Sequence, residues 1–324
     1  MAKVTVLMAV YNAARYLNKS LDSLLAQTLK DFQVVCVDDA STDRSAEILA
    51  DYARRDSRIE VVTLPANQGQ AYARNEGLKR AQGDFVCMLD ADDWFEPDTL
   101  EQAVARFDES TDVVLFDVSI DHSDHAEMYQ MPDFESLKGE EAFRLSLTWQ
   151  IHGVYMARTD MYRRFPYDTT CRLYSDDNTT RLHYMYAREV TRCGGVYHYR
   201  QHGASATHQV SVRRFDYLRA NESMKQSLKE QNVSREILSV YETHRWHNLI
   251  DVYMFYFVHG RQLSDEDRHY GLAELRRVWQ GIERPLLDQH KVSKFGYRPM
   301  PTWTLFRIQE WLYFTLRGLV NKNY

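Results

Sequence analysis

Several things are scarce in this sequence, and each shortage excludes a class. No stretch approaches the roughly 18 uncharged apolar residues that cross a bilayer, so no segment of the 324 residues is expected to span a membrane. There are only four cysteines. Cys36 and Cys87 sit inside apolar runs, where cysteine behaves as a small core residue, and Cys171 and Cys193 lack metal-ligand spacing. That usage fits a reducing compartment, and the expected location is cytoplasmic, with the inner face of a membrane as an alternative. No signal segment is read at the start, where Met1-Ala2-Lys3 runs straight into an apolar strand. Positive charge is not in excess. The net charge of -6 makes nucleic acid an unexpected partner. Glycine is missing where a phosphate-binding turn would need it. The turn after the first strand reads Ala9-Val10-Tyr11-Asn12-Ala13-Ala14. A dinucleotide fold needs Gly-x-Gly-x-x-Gly there, and a P-loop needs glycine with Lys-Ser/Thr. The backbone does not cradle phosphates at this turn, which leaves the Tyr11 ring to stack on a base.

What is present is regular alternation. Apolar runs over Val4–Val10, Phe32–Val37, Ile59–Leu64, Phe85–Leu89 and Asp112–Val118 read as strands. Between them fall helical patterns around Tyr16–Leu25, Ala46–Ala53, Gln70–Ala81 and Thr99–Phe107. Repeated βα units predict an α/β fold with a mostly parallel sheet, right-handed crossovers and helices on both faces. The 44% hydrophobic content is that of a folded chain, and the length allows one large domain or two.

Acidic residues gather at strand ends. Strand four stops in Asp90-Ala91-Asp92-Asp93, three carboxylates within four residues. At ~4 Å each pair repels by roughly 1–4 kcal/mol, which either a divalent cation or a helix-cap role would relieve. Strand two stops in Asp38-Asp39, again a ligand contact or a turn-and-cap pair. Neighbouring strand residues point to opposite faces, so one of the two faces a ligand. Asn67-Gln68-Gly69 and Ala73-Arg74-Asn75 follow strand three, and Arg74 is placed to approach a base or phosphates.

These four ordered motifs resemble family 2 glycosyltransferases of the Rossmann-like GT-A fold. The resemblance is close over residues 3 to about 120 and looser over 145–208. It implies a nucleotide-sugar-binding half over 1–120, an acceptor-side half over 121–212 and a helical C-terminal region over 213–324. It also implies inverting transfer of one sugar, hexosyl or N-acetylhexosaminyl, from a nucleotide-sugar, with UDP favoured, to a glycan or lipid-linked acceptor in bacterial surface polysaccharide synthesis. The nucleotide is assigned to Ala9, Tyr11, Asp39, Asn67, Arg74 and Asp90. Ala9 stands where many relatives carry Ser or Thr. Asp92 is assigned to Mg²⁺ or Mn²⁺, with His202 as a second candidate ligand.

In the second half, Trp149, His152 and Gly153 resemble the family's sugar- and acceptor-lining segment. Asp176-Asp177 resembles the acidic pair before a helix, with Asp177 the base; read alone, the pair caps a helix. Arg200 is a candidate for diphosphate or metal, and Gly203-Ala204-Ser205 for a moving loop. Asp121–His125 reads as a solvated loop rather than a metal site. The chain lacks the Gln-x-x-Arg-Trp signature of processive synthases, which favours single-sugar addition. The amphipathic segment Trp303–Val320 fits a membrane-surface helix, a core helix or a homodimer seam. Two other readings are a sugar-phosphate nucleotidyltransferase, whose glycine-rich turn is missing, and a non-catalytic nucleotide-sugar- or glycan-binding module.

Overall fold

Alternate residues of the first strand enter two different cores. Val4, Val6 and Met8 pack on one face of the sheet, and Leu7 packs on the other. Both faces are therefore covered, the burial expected of parallel strands. The computed structural model describes residues 2–174, 176–201 and 210–319. The chain divides into two compact units. One comprises Met1–Arg172 with Thr179–Gly203, and the other Leu173–Asn178 with Ala204–Tyr324. The two halves expected within 1–212 share one sheet, and the division falls near 203.

In the first unit the elements run β1 (Val4–Val10), α1 (Leu17–Leu25), β2 (Phe32–Asp38), α2 (Ser45–Arg55), β3 (Ile59–Thr63), α3 (Gln70–Leu78), β4 (Phe85–Met88), β5 (Trp94–Phe95) and α4 (Thr99–Val104). They continue with β6 (Thr111–Asp121), β7 (Ala126–Met128), β8 (Ser136–Leu137), α5 (Gly139–Ser146), β9 (Tyr155–Arg158), α6 (Thr159–Arg164), α7 (Asp176–Tyr186, in this unit from Thr179) and β10 (Glu189–Arg200). The sheet order is β3-β2-β1-β4-β9-β6-β10-β5. The long ladders, β1 with β2 and β4, β2 with β3, and β6 with β10, are parallel. Strand β9 enters antiparallel between β4 and β6, and β5 pairs antiparallel with β10. The expected mostly parallel α/β sheet is found, with these short antiparallel insertions added.

Helix α3 stops three residues short of the expected end. The Gln82 and Gly83 amides donate instead to the Thr5 hydroxyl, at 3.2 and 3.0 Å, which locks the helix exit against β1. Helix α4 likewise ends early, and Phe107 stacks on Phe85 at 3.9 Å. The β6–β10 register shifts between Arg192 and Val196. Gly195 sits in this bulge, where a Cβ would lie 2.8 Å from the Thr99 carbonyl oxygen. That close approach lets the Thr99 hydroxyl donate to the Val196 carbonyl at 2.8 Å. Asp121–His125 forms the exposed connection between β6 and β7, with His122 and His125 stacked at 4.4 Å.

The second unit contains α8 (Asp216–Glu230), α9 (Arg235–His259), α10 (Asp265–Gly281) and α11 (Trp303–Leu319). Ser234 and Ser264 cap α9 and α10 by accepting from Ile237 and Asp267 amides. Its own aromatic core includes Phe215, Trp246, Tyr253, Trp279, Phe306 and Phe314. No helix among the described residues is long and apolar enough to cross a membrane.

Two histidines in the first unit are buried. Burial pushes both His152 and His183 down to about 4, because the charged ring would lose its hydration. His183 lies between the Tyr155 hydroxyl at 2.7 Å and the Phe165 carbonyl at 2.8 Å. The unfolded chain, with histidines near the ordinary ~6.5, binds more protons than the native state between those values. Stability is therefore full above about pH 6.5 and falls as pH drops towards 4, by on the order of 2–3 kcal/mol per histidine. Thermal melts across this range should show a steep loss for the native sequence and a shallower one for His152→Gln. Equal slopes would refute the assignment.

Candidate active site

The first turn is built without glycine. Asn12 takes a left-handed backbone, φ 51°, which asparagine tolerates better than most residues. Its side-chain oxygen accepts from the Thr42 amide at 2.8 Å, and its own amide donates to the Ser41 hydroxyl oxygen at 3.0 Å. Two more bonds complete the latch, from the Ala13 amide to Ser45 Oγ at 2.9 Å and from the Ala14 amide to Asp43 at 3.0 Å. Burial opposes ionisation of Asp43, but hydrogen bonds from Ser45 and Ala14 outweigh it and hold the carboxyl below its usual range. The loops after β1 and β2 are thus one polar unit. Tyr11 stands on it with its ring 51% exposed, while Ala9 is half-buried at the end of β1.

Asp39, expected near a base, is bonded to the loop before α3. It is buried, and its two oxygens accept from the Gln68 and Gly69 amides at 2.7 and 2.8 Å. Its carbonyl also accepts from the Asn67 amide group at 3.3 Å. Asp39 and Asn67 therefore shape the loop before α3, and the carboxylate is engaged with backbone donors. Arg172 bonds Asn67 Oδ1 at 2.9 Å from the far side.

Arg74 is buried beside Asp90. It is 2% exposed, lies 5.3 Å from the Tyr167 ring and donates to Asp90 Oδ1 at 2.6 Å. Its guanidinium lies beneath the site and offsets the charge of Asp90 rather than facing solvent.

The three carboxylates after β4 receive three treatments. Asp90 pairs with Arg74. Asp93 is 1% exposed, accepting from the Tyr197 hydroxyl at 2.6 Å and the Arg200 amide at 2.8 Å. Burial first, then repulsion from Asp90 and Asp92, raises its carboxyl to about 8. Asp92 sits half-exposed between them. Arg200 donates from Nε to the Asp92 carbonyl at 2.8 Å, with its guanidinium over the Tyr16 and Trp94 rings at 5.0 and 4.7 Å. Lys19 lies 3.0 Å over the same Trp94 ring. Burial and the Arg200 charge both lower the Lys19 ammonium. Asp90, Asp92 and Arg200 thus lie close together, with Tyr197, Lys19 and Trp94 beside them. No sequence signal marked those three, because each acts through a partner far along the chain.

His202 and Gly203–Ser205 lie outside the described residues. Among the described residues no three His, Cys, Asp or Glu side chains form a metal cluster. The residues present still fit Mg²⁺ or Mn²⁺, whose usual sites combine one or two carboxylates with substrate phosphates and water. Asp92 is the hard-oxygen donor suited to that role.

Trp149 is 49% exposed with φ 55°, and its carbonyl accepts from the Tyr129 hydroxyl. His152 is buried, accepts from the Val154 amide at 3.2 Å and packs edge-on against Tyr129. It supports the segment from within. A Cβ on Gly153 would lie 3.3 Å from Thr180 Oγ1, which leaves little room there for a side chain. Asp176 and Asp177 open α7, both half-buried. Asn178 beside them donates to the Ala220 carbonyl of α8 at 2.8 Å and fixes that first turn within the helical unit.

Comparison with known proteins adds an independent line. The putative glycosyltransferase EpsH of Bacillus subtilis is 37% identical over 121 residues, 37% of this chain and 35% of EpsH. The poly(ribitol-phosphate) beta-N-acetylglucosaminyltransferase TarS of Staphylococcus aureus is 39% identical over 119 residues, 36% of this chain and 21% of TarS. The chain thus matches only about a third or less of these relatives' length. The crystal structure of S. aureus TarS 1-349 in complex with UDP-GlcNAc superposes with a TM-score of 0.74 at 20% identity, over 99% of this chain and 92% of that one. The mannosyltransferase PcManGT of Pyrobaculum calidifontis, in complex with GDP-Man and Mn²⁺, gives 0.54 at 19% identity, over 99% and 88%. These structures show the same GT-A fold. A family model matches residues 5–171, just over half of the chain and every motif from β1 past β9, and the chain belongs to glycosyl transferase family 2.

Proposed function

We propose that this glycosyltransferase moves a single sugar, with inversion, from a UDP-sugar to a glycan or lipid-linked acceptor in bacterial surface polysaccharide synthesis. The division of labour among Asp90, Asp92 and Asp93 carries this reading. Two of the carboxylates are tied down by Arg74, Tyr197 and Arg200. Asp92 is half-exposed beside them. TarS bound to UDP-GlcNAc and PcManGT bound to GDP-Man and Mn²⁺ support the donor class and the metal.

In this reading the Tyr11 ring stacks on the base, and Asp90, oriented by Arg74, takes the ribose. Asp92 holds the cation, and Arg200 adds positive charge toward the diphosphate. A bound Mg²⁺ or Mn²⁺ would offset the negative charge that builds on the leaving diphosphate. Asp177 takes the proton from the acceptor hydroxyl as its oxygen attacks C1 opposite the leaving group, which inverts the anomeric centre. Trp149, Gly153 and Asp176 belong to the acceptor side, with His152 as their support.

Calorimetric titration with UDP should show binding that strengthens at least about tenfold when Mn²⁺ replaces EDTA, and Asp92→Asn should abolish the difference. Metal-independent UDP binding in the native sequence would overturn the role of Asp92. Asp177→Asn should bind UDP as before and lose on the order of 10²–10⁴-fold in acceptor-dependent UDP release. A screen of donor sugars by UDP release identifies the substrate for this assay. Normal turnover of Asp177→Asn would remove it as the base. Release of pyrophosphate instead of UDP would favour nucleotidyl transfer, and binding without turnover of any donor would favour a non-catalytic module.

A further inference from the structure

Helix α11 turns an uncharged face outward. At 3.6 residues per turn, Thr304, Leu305, Ile308, Trp311, Leu312, Thr315, Leu316 and Leu319 fall within an arc of about 140°. No charged residue lies in that arc. All eight are exposed, and the apolar ones range from 42% for Leu312 to 78% for Leu319. The opposite face, Phe306, Gln309, Glu310 and Phe314, is buried in the helical core. A contiguous apolar face of this kind marks an interaction surface.

Beside it lies a cavity of about 510 Å³, walled by aromatic rings including Tyr256, Trp303 and Trp311. Three arginines line it from three places in the fold: Arg261 after α9, Arg268 on α10 and Arg307 on α11. Arg268 shares its charge with Asp265 at 2.9 Å, and Arg307 Nε lies 3.4 Å from the Tyr253 hydroxyl. Asp265, Glu266 and Asp267 open α10 beside Arg268, and the buried Glu310 acts on Tyr253 in the cavity wall. An aromatic-walled hollow lined by three arginines matches a phosphate group joined to an apolar body. Ile308 and Trp311 belong to both the cavity and the outward face. One molecule with a phosphate head and hydrocarbon chains meets both.

We propose that this cavity and the outward face of α11 form a docking site for an anionic phospholipid bilayer. Arg261, Arg268 and Arg307 hold a headgroup phosphate, and Leu305, Ile308, Leu312, Leu316 and Leu319 enter the boundary of the acyl chains. An interfacial helix has this composition, with Trp and Leu on one side and arginine at the margin. A free phosphate would leave the apolar face without a role. A second copy of the chain would have to be held by a strip one helix wide, on the order of 500 Å², short of the ~800 Å² per partner of a standard interface. The inference does not depend on which sugar is transferred.

The test is co-sedimentation of the full chain with vesicles of phosphatidylcholine alone or of phosphatidylcholine containing one-third phosphatidylglycerol. Binding to the anionic vesicles should exceed binding to the neutral ones by at least about tenfold. The pairs Leu312→Ser with Leu316→Ser and Arg261→Gln with Arg307→Gln should each reduce it by about tenfold, with UDP affinity and Tm unchanged. Should the leucine pair lower Tm, Leu319→Ser at the exposed helix end carries the same test. Equal binding to both vesicle types, no binding, or variants that bind like the native chain would overturn the proposal. So would full displacement by millimolar glycerol phosphate, which points to a free phosphate site. A dimer in sedimentation equilibrium that the leucine pair dissolves would assign the face to a second copy instead.

Discussion

Three carboxylates at the end of a buried strand cannot all remain charged side by side without compensation, and the sheet unit is arranged around that constraint. Each pair repels by roughly 1–4 kcal/mol at ~4 Å. Asp90 is given a buried guanidinium, Arg74, at 2.6 Å. Asp93 is withdrawn from water, and burial with the neighbouring Asp90 and Asp92 charges raises its carboxyl to about 8. Asp92 is left half-exposed between them. The consequences run outward. Tyr197 and the Arg200 amide must reach Asp93, which requires β10 to run beside β6 to its last residue and to receive β5 on its other edge. Trp94, on β5, then brings Lys19, His198 and Arg200 around one ring.

A second arrangement replaces what glycine supplies in glycine-rich phosphate-binding turns. Four side-chain-to-backbone hydrogen bonds join the loops after β1 and β2 through Asn12, Ser41, Asp43 and Ser45. Each is worth about 1 kcal/mol net, and together they set the backbone that presents Tyr11. Asp39 does the same for the next loop by accepting from two amides. Polar residues of these motifs therefore hold the frame of the loops. The same distinction separates His152, which is buried, from Trp149, which is open.

The alternation of β1 to α4 was legible because burial on both faces of a parallel sheet leaves short apolar runs, and the covering helices leave a 3.6-residue pattern. Strand β9 was not legible as an insertion between β4 and β6. Its partners lie about 40 and 70 residues away along the chain, and no local pattern records a distant partner. The helix ends at Leu78 and Val104 were misplaced because Thr5 and Phe85 compete for the residues that follow.

Asp90, Asp92, Asp93 and their place after a buried strand were determined by the sequence alone, because residue type and spacing carry that chemistry locally. So was the absence of a glycine phosphate loop, which turned the reading away from dinucleotide and P-loop proteins. Only the tertiary structure decided which carboxylate does what. Arg74 comes from 16 residues away and Tyr197 from 104. Charge compensation depends on distance and burial, and both are properties of the fold rather than of any one segment.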